Sequence, residues 1–300
     1  MKKVVVLLGG PGKEREVSLN SGKATLSALE ELGFKPITID LPSNLDELIA
    51  QLKTHKPDVV FNCLHGPVGE DGTVQQILND LNIPYTHSGV KASELAMDKW
   101  DSYQLFKQHN IPTPETHRIN LAAQTTCPLD FPCIIKPINE GSSVGIQLLT
   151  SNEDWDNLKK NWTYGNDCIV QEYLKAREIH VAVLDGVSLG TIEIRPNEKF
   201  SIFSYQAKYV PGEACFTCPA PIEKEFEQLA KDTALKAYQA LGCRGLSRVD
   251  MMFDGQKFSV LELNTQPGFT ATSLAPQIAK NQGISFTQLV GKMVESARCD

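Results

Sequence analysis

The sequence predicts a mixed α/β and α+β protein of two or three domains, led by a small parallel sheet. Three observations predict it. Uniformly apolar runs alternate with amphipathic stretches near the N-terminal end, the βαβα pattern of a parallel sheet covered by helices. Two runs near the C-terminal end alternate polar and apolar residues at period two, as strands with unlike faces do. A chain of 300 residues, 41% of them hydrophobic, is long enough for several cores.

Taken in order, Val4–Leu8 is an all-apolar strand ending in Gly9-Gly10. This run is too short for the core of a signal peptide and leads into a turn rather than a cleavage site. Ser18 to Leu32 reads as a helix closed by Gly33. Asp58–Leu64 is a second buried strand, leading into His65-Gly66. Val74, Ile77, Leu78 and Leu81 fall at i, i+3, i+4 and i+7, one apolar face of a helix. Ligands are expected beyond the C-terminal ends of such parallel strands. A helix from about Ser93 to His109 is stopped by Asn110-Ile111-Pro112-Thr113-Pro114. Strands follow at Cys133–Lys136, Ile169–Leu174, Ile179–Leu184 and Ser188–Arg195, then an irregular segment from Glu198 to Pro221. A long helix carries Phe226, Leu229, Ala230, Ala237, Tyr238 and Leu241 on one face. Leu246–Phe253 and Phe258–Asn264 complete the core.

Charge and cysteine usage narrow the function. The net charge is −7 with Lys and Arg scattered, so neither nucleic acid nor an anionic membrane is an expected partner. No apolar stretch is long enough to span a bilayer. The eight cysteines form no regular framework, and the single pair Cys215/Cys218 has no second pair to complete a zinc site. Reduced thiols in a cytoplasmic protein are expected. An anionic ligand must therefore meet locally placed lysines and metal ions.

Three stretches could do chemistry. Gly9-Gly10-Pro11-Gly12-Lys13 matches neither a P-loop nor a dinucleotide fingerprint; an anion at its free N–H groups and a plain tight turn both account for it. Gly141-Ser142-Ser143-Val144-Gly145 follows the strand that ends in Lys136. It is either a surface loop or a flap able to fold over phosphates that the lysine neutralises. In Arg248-Val249-Asp250 and Glu262-Leu263-Asn264, alternation puts Arg248 with Asp250, and Glu262 with Asn264, opposite apolar neighbours. Hard oxygen donors inside such strands suit Mg²⁺ bridging phosphates, and two solvent-facing strands are the competing reading. A two-residue turn at Asp254-Gly255 would pair Phe253 with Gln256 and turn Asp250 and Glu262 to opposite faces. A shared metal therefore requires an odd-length loop or a bulge.

In this order the pieces resemble the ATP-grasp superfamily, specifically the D-alanine–D-alanine ligases. The matching runs are Leu7-Leu8-Gly9-Gly10, Glu14-Arg15-Glu16-Val17-Ser18, His65-Gly66 with Gly69-Glu70-Asp71-Gly72-Thr73, and Ser88-Gly89 leading to Met97-Asp98-Lys99. They continue through Ile135-Lys136-Pro137, Glu140-Gly141-Ser142-Ser143-Val144-Gly145, Ala207-Lys208-Tyr209, Arg248-Val249-Asp250 and Glu262-Leu263-Asn264-Thr265. The resemblance implies an N-terminal α/β domain over 1–90 and two ATP-grasp lobes, 91–178 and 179–300, enclosing the nucleotide.

It also implies roles. Lys99 and Lys136 hold the α- and β-phosphates of ATP, with Ser143 in the flap, and Lys208 reaches the γ-phosphate. Glu172 and Leu174 meet adenine, and Glu178 the ribose. Asp250, Glu262 and Asn264 ligate two Mg²⁺ or Mn²⁺. Glu14 holds the ammonium of a first D-alanine, with His65 near its carboxylate. Glu14, Ser142 and Tyr209 tie flap and first domain together, and Tyr209 favours an amine as the second substrate. Arg248 and the Gly268 backbone stabilise a tetrahedral intermediate, and Ser273 and Leu274 receive the second D-alanine. A homodimer is also implied. Departures are Gln171 where an acid is common, Gln266 where Ser is common, and Thr272-Ser273 in place of His-Ser. Rival readings are a D-Ala–D-Ser, D-Ala–D-lactate or other carboxylate–amine ligase, a non-catalytic small-molecule binder and a nucleotide-dependent scaffold.

Overall fold

A computed structural model of the chain describes residues 2–12, 14–141, 143–197 and 214–300. The first sheet is parallel, with β1 (Val4–Leu8) between β2 (Ile37–Asp40) and β3 (Val59–Asn62). Every residue of β1 is buried, as a parallel strand covered on both faces requires. Helices α1 (Arg15–Glu31) and α2 (Leu45–His55) supply the crossovers, and α3 (Thr73–Asp80) follows β3. Because β2 and β3 flank β1 on opposite sides, the chain leaves β1 and β3 beside one crevice, the expected place for a ligand.

The expected helix from Ser93 to His109 is two helices, α4 (Val90–Met97) and α5 (Lys99–Gln108). Asp98 is the reason. Its backbone is extended, and its carboxylate accepts from Trp100 N and Asp101 N, an N-cap that starts a new helix.

A four-stranded antiparallel sheet follows, in the order β4 (Thr116–Asn120), β7 (Asp167–Glu172), β5 (Cys133–Pro137), β6 (Gln147–Leu149). Trp155 and Leu158 of α6 (Asn152–Asn161) pack on it. The third sheet is five-stranded and antiparallel: β10 (Ala214–Thr217), β9 (Val187–Pro196), β8 (Arg177–Leu184), β11 (Leu246–Phe253), β12 (Phe258–Asn264). Strand β10 replaces part of the irregular segment expected before Pro221; it pairs with β9. Helix α7 (Lys224–Ala240) buries Ala230, Ala237 and Tyr238 as expected, but Leu229 is 40% exposed, outside the buried face.

Two final helices, α8 (Leu274–Asn281) and α9 (Phe286–Ser296), return to the N-terminal sheet. Ile278, Leu289 and Met293 share one buried cluster with Val4, Val6, Phe61 and Ala182. Thr287 Oγ1 also donates to Glu31 Oε2 at 2.7 Å. Neither helix nor this closure was expected. The alternation in β11 and β12 does not mark a wet surface, because Asp250 is only 3% exposed.

Candidate active site

The loop between β11 and β12 has four residues, not two. Phe253 pairs with Phe258, and Asp254 Oδ1 accepts from Gln256 N and Lys257 N. That even loop alone would set Asp250 opposite Leu261, leaving Glu262 on the wrong face. A register shift between Asp250 and Met251 supplies the extra residue, so Asp250 pairs with Glu262 and Arg248 with Asn264. The bulge also turns Leu261 into the same cleft as Glu262, against the expectation that both leucines face away.

A cleft of about 570 Å³ separates the second and third sheets. Lys136, Gln171 and Glu172 line it from one sheet, and Glu178, Asp250 and Glu262 from the other. Ser143 and Leu174 line it too. Its size suits a ligand of drug or nucleotide dimensions. Lys136 is 5% exposed and donates to Gln171 Oε1 at 2.7 Å. Gln171 is in turn held by Thr116 Oγ1 at 2.9 Å. The amide at position 171 orients the lysine through a hydrogen bond and brings no counter-charge of its own. Glu172 accepts from Glu115 N at 3.3 Å. Lys99 does not line this cleft. It approaches Glu262 Oε2 to 3.8 Å from a small neighbouring pocket and donates to Glu140 O at 2.6 Å.

The second cavity, about 390 Å³, opens at the crevice of the parallel sheet. Glu14 and His65 reach it from the exits of β1 and β3, Arg248 and Asn264 from β11 and β12, and Gly268, Ser273 and Leu274 from the turn before α8. Gly141 lets the flap come close: a Cβ there would lie 3.3 Å from Glu14 Oε2. His65 is set by Ser21 Oγ at 3.3 Å from Nε2 and Glu70 Oε1 at 3.3 Å from Nδ1. Burial raises the Glu70 carboxyl above its usual range, partly offset by His65. Gln266, a departure from the resemblance, donates from Nε2 to Leu64 O, tying the end of β12 to the end of β3.

Arg248 joins the two spaces. Its Nε and Nη2 donate to Asp250 Oδ1 and Oδ2 at 2.7 and 2.8 Å, a bidentate pair. Burial works to lower its pKa, but Asp250, then Glu262 and Glu178, outweigh burial and raise it. The guanidinium is therefore a permanent charge. Asn264 Nδ2 donates to Asp250 Oδ2 at 3.1 Å, so its amide oxygen is the atom that can offer a lone pair to a cation. Among the described residues no three His, Cys, Asp or Glu side chains form a ready metal site. The Asp250 and Glu262 carboxylates, which share the cleft with Lys136, and the amide oxygen of Asn264 beside Asp250 are the hard oxygen ligands that suit a divalent ion whose remaining ligands come from phosphates and water.

The chain matches two family patterns, "D-ala D-ala ligase C-terminus" over residues 94–295 and "D-ala D-ala ligase N-terminus" over residues 42–88. The D-alanine–D-alanine ligase B of Mesorhizobium japonicum is 44% identical over 99% of this chain and 98% of its own length. The chain belongs to the D-alanine–D-alanine ligase family. The D-alanine–D-alanine ligase of Paramagnetospirillum magneticum is also 44% identical, over 100% of this chain and 99% of its own. Among solved structures, the D-alanine–D-alanine ligase of Bacillus anthracis complexed with ATP superposes with a TM-score of 0.86 at 29% identity. That match covers 98% of this chain and 96% of the other. The fold is that of this ATP-grasp family.

Of the residues expected to serve the family reaction, Ser142, Lys208 and Tyr209 lie outside the described residues. The rest gather at the two cavities, apart from Lys99 in the adjoining pocket. Sequence reasoning missed His180, Glu193 and Arg177. Glu193 is 2% exposed and accepts from Arg177 Nε at 2.6 Å. Period-two spacing from Glu178 would have flagged His180, since both must share a strand face. Among the described residues no helix is long and apolar enough to cross a membrane, and the eight cysteines are free thiols.

Proposed function

We infer that the chain joins two molecules of D-alanine into D-alanyl-D-alanine at the expense of ATP, through an acyl phosphate, for peptidoglycan precursor synthesis in the cytoplasm. One observation carries the reading. A single pair of strands serves both cavities, Asp250 and Glu262 facing the large cleft while Arg248 and Asn264 face the other. A phosphoryl donor in the first and a carboxylate in the second would meet at that strand pair.

ATP lies in the large cleft, its phosphates toward Lys136, Lys99 and Ser143, its base near Glu172 and Leu174, its ribose near Glu178. Asp250, Glu262 and Asn264 would hold two Mg²⁺ or Mn²⁺. When bound, these ions neutralise phosphate charge and polarise the transferred group. In the second cavity Glu14 receives the first substrate's ammonium, and His65 approaches its carboxylate. That carboxylate attacks the γ-phosphorus and ADP leaves. The amine of the second D-alanine, whose carboxylate meets Ser273 and Leu274, then attacks the acyl carbonyl. The carbon–oxygen bond to phosphate breaks and the dipeptide remains. Arg248 and the Gly268 N–H stabilise the oxyanion formed between those two events, the largest kind of contribution in acyl transfer. The units 1–90, 91–178 and 179–300 divide this work, and the enzyme acts as a homodimer.

The test is phosphate release dependent on both ATP and D-alanine, with the product identified by mass. Absence of the dipeptide overturns the reading. Preference for D-lactate over D-alanine near neutral pH overturns the amine specificity, and a monomer in sedimentation removes the dimer.

A further inference from the structure

We propose that His180 is a positioning residue that couples the nucleotide-side carboxylate Glu178 to the cation-side carboxylate Asp250. The proposal rests on the assignment of Glu178 to the ribose and of Asp250 to a divalent ion. His180 sits on β8, two residues from Glu178 and directly across the ladder from Asp250. Its side chain is fully buried. Nε2 lies 2.8 Å from Glu178 Oε1, and Nδ1 lies 3.1 Å from Asp250 Oδ1. The second contact is within ion-pair distance but not aligned as a hydrogen bond, and Nδ1 has no hydrogen-bond partner among the described residues.

A histidine that only filled the sheet would find main-chain partners, or would be replaced by an apolar residue like Ile179 and Val181 beside it. Here both edges of the ring meet acids that line the 570 Å³ cleft. Arg248 and Asn264, which also hold Asp250, both line the second cavity. Through Glu178, His180 ties Asp250 to the nucleotide side. Without the ring, that carboxylate loses its link to Glu178. Partners that orient a metal ligand from behind typically control affinity by about 10–100-fold.

The experiment measures Mn²⁺ affinity by electron paramagnetic resonance with a non-hydrolysable ATP analogue present, and analogue affinity separately in chelator. The wild type is read first. If it binds the analogue but takes up no Mn²⁺ with it, the assignment of Asp250 fails, and the proposal with it. Given uptake, His180→Leu is expected to weaken Mn²⁺ binding by about 10–100-fold at an unchanged thermal midpoint. Glu178→Gln, though not a ligand, is expected to weaken Mn²⁺ binding in the wild type and to have no further effect beside His180→Leu. That non-additivity is the signature of a shared contact. Wild-type Mn²⁺ affinity in His180→Leu, or additive effects of the two changes, overturns the coupling. Should His180→Leu not fold, His180→Gln and Glu178→Gln decide it, and unchanged Mn²⁺ affinity in both is the refuting result.

Discussion

His87 sets an acid limit on the stability of the side of the molecule that carries the second cavity. It is 2% exposed; its Nδ1 lies 3.1 Å from Thr86 Oγ1, and its Nε2 has no hydrogen-bond partner among the described residues. Its ring packs edge-on against Phe61 and Phe269, whose backbone N–H donates to Ser21 Oγ beneath His65. Burial pushes the imidazole pKa down from 6.5 to about 3, with the nearby charges of His65 and Arg244 adding to the effect. In the unfolded chain the group keeps its ordinary value. Below pH 6.5 the unfolded state therefore binds a proton that the folded state refuses, and stability falls as pH falls from 6.5 toward 3. The slope is about 1.4 kcal/mol per pH unit, hence about 2 kcal/mol lost at pH 5. With an unfolding entropy of about 0.6 kcal/mol/K for a chain of this length, that is a fall of about 3 °C in Tm. His87→Asn removes the titration and tolerates the backbone, whose φ is +69°. The cavity it leaves costs the same at every pH. The assay is therefore the difference in Tm or urea midpoint between pH 7.5 and 5, compared between variant and wild type. The variant is expected to lose about 2 kcal/mol less. Equal losses in the two proteins would refute the argument.

Other outcomes follow from the site. Arg248→Ala and Glu262→Gln are each expected to cut dipeptide synthesis by on the order of 10²–10³ with the circular dichroism spectrum retained; full synthesis by either refutes those roles. Lys136→Met is expected to weaken ATP binding by about 10–100-fold, the worth of one charge-assisted hydrogen bond, read by titration calorimetry. Removing divalent ions with chelator is expected to stop phosphate release, and adding Mg²⁺ to restore it; release that persists in chelator rules out the metal role. Leu229→Lys is expected to change stability by less than about 0.5 kcal/mol, because the side chain is exposed; a loss of several kcal/mol would return Leu229 to the core.

Much of the fold was legible because its signals are local. Val4–Leu8 is apolar throughout, and a strand with no polar face can only lie inside a covered sheet. Leu246–Phe253 and Phe258–Asn264 carry a period-two pattern strong enough to mark both ends of each strand. Helix α7 showed its periodicity, though not that Leu229 sits beyond the edge of the buried face. The break at Asp98 went unread, since continuous helical periodicity concealed a cap whose evidence is a backbone angle. Strand β10 was missed because a four-residue edge strand has too little pattern to stand out from a loop.

The family and a set of candidate residues could be read from the sequence alone, because lysines, carboxylates and small flap residues stand in a characteristic order along the chain. What the sequence left open was whether Asp250 and Glu262 face each other, and only the tertiary structure decided it. The answer depends on one extra residue in β12 opposite an even hairpin loop. The packing of α8 and α9 back onto β1 and β3, and the meeting of Glu178, His180 and Asp250, were likewise decided only in three dimensions. The physical reason is common to all three. Strand and helix propensities act over a few neighbours, whereas register and closure are set by contacts between residues from a dozen to hundreds of positions apart.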